Sequence, residues 1–145
     1  MPKMIFVNLP VADLERSTAF YEAIGCTRDA RFSNDQAAMV VWSDTISFML
    51  LSHPFYAGFT SKRIADARET SEVLLCLSRD SRAEVDAITE AAAAAGGRVD
   101  VRPAQDTGFM YGRSFEDPDG HVFEPMYMDV EAATAAMGQP AAQAA

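Results

Sequence analysis

The same order of local patterns occurs twice along this 145-residue chain, and that repeat constrains the fold more than any single residue does. In the first half, "MIFVNLPV" alternates β-branched and aromatic residues and reads as a strand ended by Pro10. "ADLERSTAFYEAIG" then reads as a helix. Asp13 is its N-cap, Leu14, Ala19, Phe20, Ala23 and Ile24 form an apolar stripe, and Gly25 stops it. "RDARFSND" has room for a short strand, and "AAMVVWSD" and "TISFMLLS" are two strands joined around Ser43-Asp44. The second half restarts with the strand "EVLLCLS". The helix "SRAEVDAITEAAAAAG" follows, begun by Ser81 or Asp80 and closed by Gly96-Gly97. A short strand in "GRVDVRPAQDT" and the hairpin "MYGRSFEDPDGHVFEPMYM" complete it. Both halves therefore read strand, helix, then three shorter strands, which predicts an α+β fold of two βαβββ modules.

The modules span about residues 3–52 and 71–129 within one domain of residues 1–130. Between them lies a connector, 53–70, with aromatics, a glycine and charges, and a short helix predicted over Lys62–Arg68. A connection this long in a small domain reads as a lid or a linker. The Ala-rich tail, 131–145, is expected to hold a helical turn or two and then lose order past Gly138 and Pro140.

Charge excludes some functions. Twelve basic and 21 acidic residues give a net charge of −9, which argues against nucleic acid and against an anionic membrane surface. It mildly favours a neutral or cationic ligand. No apolar run is long enough to span a bilayer and the first residues do not form a signal peptide, so a cytoplasmic protein is expected. Cys26 and Cys76 form no C-x-x-C pair and read as free thiols. Neither a G-x-S-x-G, a phosphate-cradling glycine loop nor an H-E-x-x-H is present, and "AAGGRV" follows its helix instead of opening one.

The double βαβββ order, together with "NLPVADLERSTAFYEAIG" and "SFEDPDGHVFE", resembles the vicinal oxygen chelate superfamily over residues 3 to 129. That group includes glyoxalase I, fosfomycin and bleomycin resistance proteins and extradiol dioxygenases. "MIFVNLPV", "SDTISFMLLSHPF" and "FMYGRSFEDPDGH" are most similar to a "predicted lactoylglutathione lyase" subgroup. The resemblance implies mixed sheets curled around a cavity, a homodimer and a small-molecule ligand. In metal-using members it also implies a divalent metal held by His and Glu from each module. Carried across, the Glu after the Asp-Pro-Asp-Gly turn falls on Glu124. The first His falls on Phe6, the first Glu near Met49 and the second His on or beside Glu72. At most two carboxylates remain, so the standard four-ligand site is degenerate. His53 and His121 match no ligand position.

Strand alternation then lists what shares the cavity. Asn8 follows Phe6 on one face, and Val122 and Met126 flank Glu124 on another. A hairpin turned at Asp117–Gly120 sets Arg113 opposite Glu124. Glu124 thus has three readings: an ion pair with Arg113, an orienting or proton-moving carboxylate alone or with Glu72, or a metal ligand. Phe55, Tyr56, Phe59, Phe109 and Tyr111 lie in two loop regions able to close over a cavity mouth. The candidate set is therefore Glu124 and Glu72 as catalytic or metal-binding carboxylates. Phe6, Asn8, Met49, Phe55, Tyr56, Phe109, Tyr111 and Arg113 are candidate substrate contacts. Two functions fit the resemblance. One is a glyoxalase-type lyase or isomerase acting on a thiol adduct or oxo compound. The other is a metal-independent protein that sequesters a drug or metabolite, as bleomycin-resistance members do.

Overall fold

A computed structural model describes the backbone of residues 1–144 and the side chains through Gly138. Module one runs β1 (Ile5–Val11), α1 (Leu14–Ala23), β2 (Thr27–Asp29), β3 (Ala37–Val41) and β4 (Ile46–Ser52), with a 3-10 turn at Ala30–Phe32. The helix α2 (His53–Ala57) leads into the connector. Module two runs β5 (Leu75–Ser78), α3 (Arg82–Ala94), β6 (Arg98–Val99), β7 (Gln105–Asp106), β8 (Met110–Gly112), β9 (Phe115–Glu116) and β10 (Val122–Met128). The chain closes with α4 (Val130–Ala144).

The expected repeat is present in the pairing. β1 lies parallel to β4 in a sheet of order β1-β4-β3-β2, and β5 lies parallel to β10, which pairs antiparallel with β8 and β9. β1 and β5 are thus both edge strands, paired on one side only among the described residues.

The first helix begins where predicted, with the Asp13 carboxylate accepting from Arg16 N–H at 3.0 Å. Its inward face differs from the predicted stripe. Ser17, Phe20, Tyr21 and Ile24 are buried, while Ala19 and Ala23 face solvent. A serine and a tyrosine displace two alanines inside because their hydroxyls find buried acceptors on the other module, described below. α1 and α3 pack over the same face of their sheets, and one core draws on both modules. At its centre Tyr21, Phe48 and Phe123 meet at centroid separations of 5.4–5.8 Å, and Phe115 stacks on Phe123 at 5.4 Å.

The connector departs from expectation. Its helix lies at His53–Ala57, where Ser52 Oγ caps Phe55 N–H and Pro54 occupies the first turn. Residues 62–68 form no helix; the Asp66 side chain takes Arg68 N–H, a local side-chain turn that competes with helical bonding. The strand expected from Glu72 begins only at Leu75. α4 is longer than the turn or two expected of the tail, starting from the Asp129 cap and burying Ala133. The predicted loss of order concerns the end of the tail, much of which lies outside the described side chains. Among the described residues no helix is long and apolar enough to cross a membrane.

Candidate functional site

Alternation along β1 decides which groups meet the cavity. Leu9 and Val11 point into the core, so Phe6, Asn8 and Pro10 point away from it. Asn8 lies beside Met49 and Phe6 beside Ser47 in the β1–β4 register, so Phe6, Asn8 and Met49 share one face. On that face Ser47 Oγ is buried with no hydrogen-bond partner among the described residues.

A cavity of about 410 Å³ opens at the end of this face, where the free edge of β1 meets the connector and the β9–β10 turn. Asn8, Tyr56 and Glu72, three of the sequence-predicted site residues, come together in its wall. The connector supplies Thr60, Lys62, Arg63, Ile64 and Thr70, and Ser71 follows it, which makes it a wall of the site and not only a linker. Phe55 packs edge-to-face on Phe59 at 5.2 Å beside Tyr56. The second aromatic region does not reach this cavity. Tyr111 donates its hydroxyl to Asp86 on α3 at 2.7 Å, and the Phe109 carbonyl accepts from Asp129 N–H.

Gly120 and His121 line the cavity at the end of the turn Asp117-Pro118-Asp119-Gly120, whose carboxylates bind the two modules together. Asp119 is buried and accepts from Ala12 N–H at 2.9 Å and Ser17 Oγ at 3.2 Å. Asp117, also buried, accepts from Tyr21 Oη at 2.7 Å and from the N–H groups of Asp119 and His121 at 2.9 Å. Burial pushes the Asp117 carboxyl above the ordinary aspartate range despite these donors, and burial with the adjacent Asp117 charge pushes the Tyr21 phenol well up. Gly120 holds φ +92°, and a Cβ there would meet Arg68 backbone nitrogen at 2.9 Å. His121 Nε2 lies 2.8 Å from the Pro10 carbonyl. A carbonyl only accepts, so Nε2 carries the proton and Nδ1 is left as an acceptor in the neutral ring.

Glu124 lies two residues along β10 from Val122, on the same strand face as that cavity-wall residue. Its partner is not Arg113. The expected hairpin register is one residue out: Val122 pairs with Glu116 and Phe123 with Phe115, because Asp117 N–H closes the turn on the His121 carbonyl. A slip of one residue moves a side chain to the other face. Arg113 therefore turns to Asp86 and Glu90 on α3 and to Asp100 just after β6, donating to all three at 2.8–3.1 Å. Ser114 takes its place on the Glu124 side, and Arg102 supplies the cation. Arg102 Nε and Nη2 both reach Glu124 Oε2 at 2.8 Å, and only 17% of the Glu124 side chain is exposed. Cys76 lies across from Glu124 on β5, and burial, reinforced by the Glu124 charge, raises its thiol.

These donors do not suit the family's metal. Phe6 and Met49 offer no hard ligand, Glu124 is held by a guanidinium, and Glu72 lies in the cavity wall. Among the described residues no three His, Cys, Asp or Glu side chains gather as a metal site would require. The residues that sequence reasoning missed are Lys62, Arg63, His121 and Arg102. The adjacent pair Lys62-Arg63 in the flagged connector was a signal. Arg102 gave none, since its role depends on where the β6–β7 loop folds back.

Residues 3–124 match the family model of the Glyoxalase/Bleomycin resistance protein/Dioxygenase superfamily, and the chain belongs to that superfamily. Hypothetical protein SA1046 from S. aureus is similar in structure, with a TM-score of 0.74 at 28% identity over 88% of this chain and 95% of that one. A glyoxalase/bleomycin resistance protein/dioxygenase family enzyme from Burkholderia phytofirmans PsJN gives 0.71 at 20% identity over 88% and 99%. The fosfomycin resistance protein FosX from Mesorhizobium loti gives 0.66 at 18% over 92% and 98%, a likeness of fold. No curated protein sequence is significantly similar to the chain.

Proposed function

We propose that this protein binds a small organic molecule in the cavity between β1 and the connector without using a metal, as a sequestering protein of the bleomycin-resistance type. The observation that carries this reading is the engagement of Glu124 by Arg102. The one carboxylate in a matching ligand position is already neutralised by two 2.8 Å contacts to a single oxygen. Lewis-acid chemistry of the glyoxalase kind asks for three or four converging donors, and among the described residues no three His, Cys, Asp or Glu side chains gather to supply them. This speaks against the lactoylglutathione lyase reading. A cavity of about 410 Å³ with apolar walls (Val7, Ile64, Val73) and a few polar groups suits a small ligand. The ligand role extends to Asn8, Tyr56 and Glu72 as cavity contacts, with Phe6 and Met49 on the adjoining face.

A homodimer accompanies this proposal. Phe6, Val73 and Leu74 lie near the open edges of β1 and β5 and are about half exposed, and a second copy would cover them.

Nile red, a neutral fluorophore, tests the site independently of charge. Saturable fluorescence gain is expected, unchanged by EDTA and lost in Asn8→Trp, which fills the cavity. Binding that disappears with EDTA, or that Asn8→Trp leaves intact, would overturn the reading.

A further inference from the structure

The cavity's charges run against those of the chain, and its strand edge is unpaired. β1 pairs parallel with β4, and in a parallel ladder the N–H and C=O of one residue point to the same neighbour while those of the next point away. Ile5 N–H goes to the β4 side, to Thr45. The even-numbered residues therefore face the open edge. Two contacts agree: the Pro10 carbonyl meets His121, and Ala12 N–H meets Asp119. By the same alternation Asn8 turns its backbone N–H towards the gap, where Asn8 lines the cavity.

Two cations stand at the same cavity, Lys62 and Arg63. Among the described residues seven of the nine other arginines of this acidic protein pair with carboxylates, among them Arg82 with Asp106, Arg102 with Glu124, and Arg113 with three acids. Lys62 and Arg63 form no salt bridge among the described residues. Among the described residues Glu72 is the only carboxylate in the wall. Hydroxyls of Tyr56, Thr60 and Ser71 add donors.

We infer that this cavity selects a small organic anion, its charged group bound by Lys62 and Arg63 together with the open-edge N–H of Asn8 and its apolar body lying against Val7, Ile64 and Val73. The inference rests on the binding reading above and adds the ligand's charge to it. It reverses the preference for a cationic ligand that the net charge of −9 suggests, because the local field at the cavity is set by its own wall.

The test uses three probes of one shape, benzoate, benzamide and benzylamine, titrated into the full chain and followed by amide NMR shifts. Benzoate is expected to bind tightest and to move the Asn8 and Ser71 amides. Lys62→Gln/Arg63→Gln, changed in an exposed loop away from the core, is expected to weaken benzoate about tenfold and leave benzamide unchanged. Raised salt should weaken benzoate alone. Equal or tighter binding of benzamide or benzylamine at the same amides would overturn the charge inference and leave the site standing. No saturable shift at these amides with any probe would overturn both.

Discussion

At the scale of the residue, the pair Arg102–Glu124 and the pair Tyr21–Asp117 do different work. Arg102 holds a carboxylate at the edge of the cavity face, where solvent still reaches both partners. Arg102→Ala is expected to cost about 1 kcal/mol in chemical denaturation, the range of a partly exposed charged pair. A loss several times larger would show that Glu124 is more deeply desolvated than its exposure indicates. Tyr21 and Asp117 are buried, so Tyr21→Phe removes a donor from a carboxylate that bulk solvent does not reach. About 2 kcal/mol should be lost. The pH dependence of Asp117 follows from its raised pKa, caused chiefly by burial. A carboxyl that holds its proton more tightly when folded stabilises fully below the ordinary aspartate value of 3.8. That contribution is lost as pH rises through the higher folded value. In Asp117→Asn this fall should vanish from a plot of unfolding free energy against pH. An unchanged pH profile in the variant would place the fall elsewhere.

At the scale of the element, the sequence disclosed the strands and helices better than their faces. Alternation in "MIFVNLPV" identified β1 and set Phe6 and Asn8 on one face, of which Asn8 lines the cavity, and the Asp13 and Ser81 caps located both helix starts. Face errors came where a long-range contact outweighs local pattern. Ser17 and Tyr21 are inside because acids nearly a hundred residues away accept their hydroxyls. Arg113 and Glu124 part because the turn closes at Asp117–His121 instead of one step earlier, a choice made by buried backbone bonds. The start of β6 carries a tighter constraint. A Cβ on Gly97 would stand 2.5 Å from the Glu116 carbonyl and 2.9 Å from Phe20 Cε2. Gly97→Ala is therefore expected to lower stability by about 2 kcal/mol or more, seen as a reduced thermal midpoint. An unchanged midpoint would mean that α3 and β9 separate without cost.

At the scale of the whole molecule, the repeat places two edge strands, β1 and β5, near one another, and the connector roofs the space at one end. The modules are not independent, since Asp117 and Asp119 of one are satisfied by α1 and the end of β1 of the other. Repeat order and the Asp-Pro-Asp-Gly motif revealed this architecture from sequence. The cation-lined wall was hidden, because it forms only when an irregular segment folds back over β1. Superfamily membership leaves the chemistry open; at the matching places this chain offers a carboxylate tied to Arg102, a phenyl ring and a thioether.

Elemental analysis of untagged protein, purified without chelator, measures this most directly, for the wild type beside Glu124→Gln. The expected result is no stoichiometric transition metal in either, with both proteins binding Nile red alike. A near-stoichiometric divalent metal in the wild type that is lost in Glu124→Gln would contradict it, and would show that Glu124 leaves Arg102 to take up a metal.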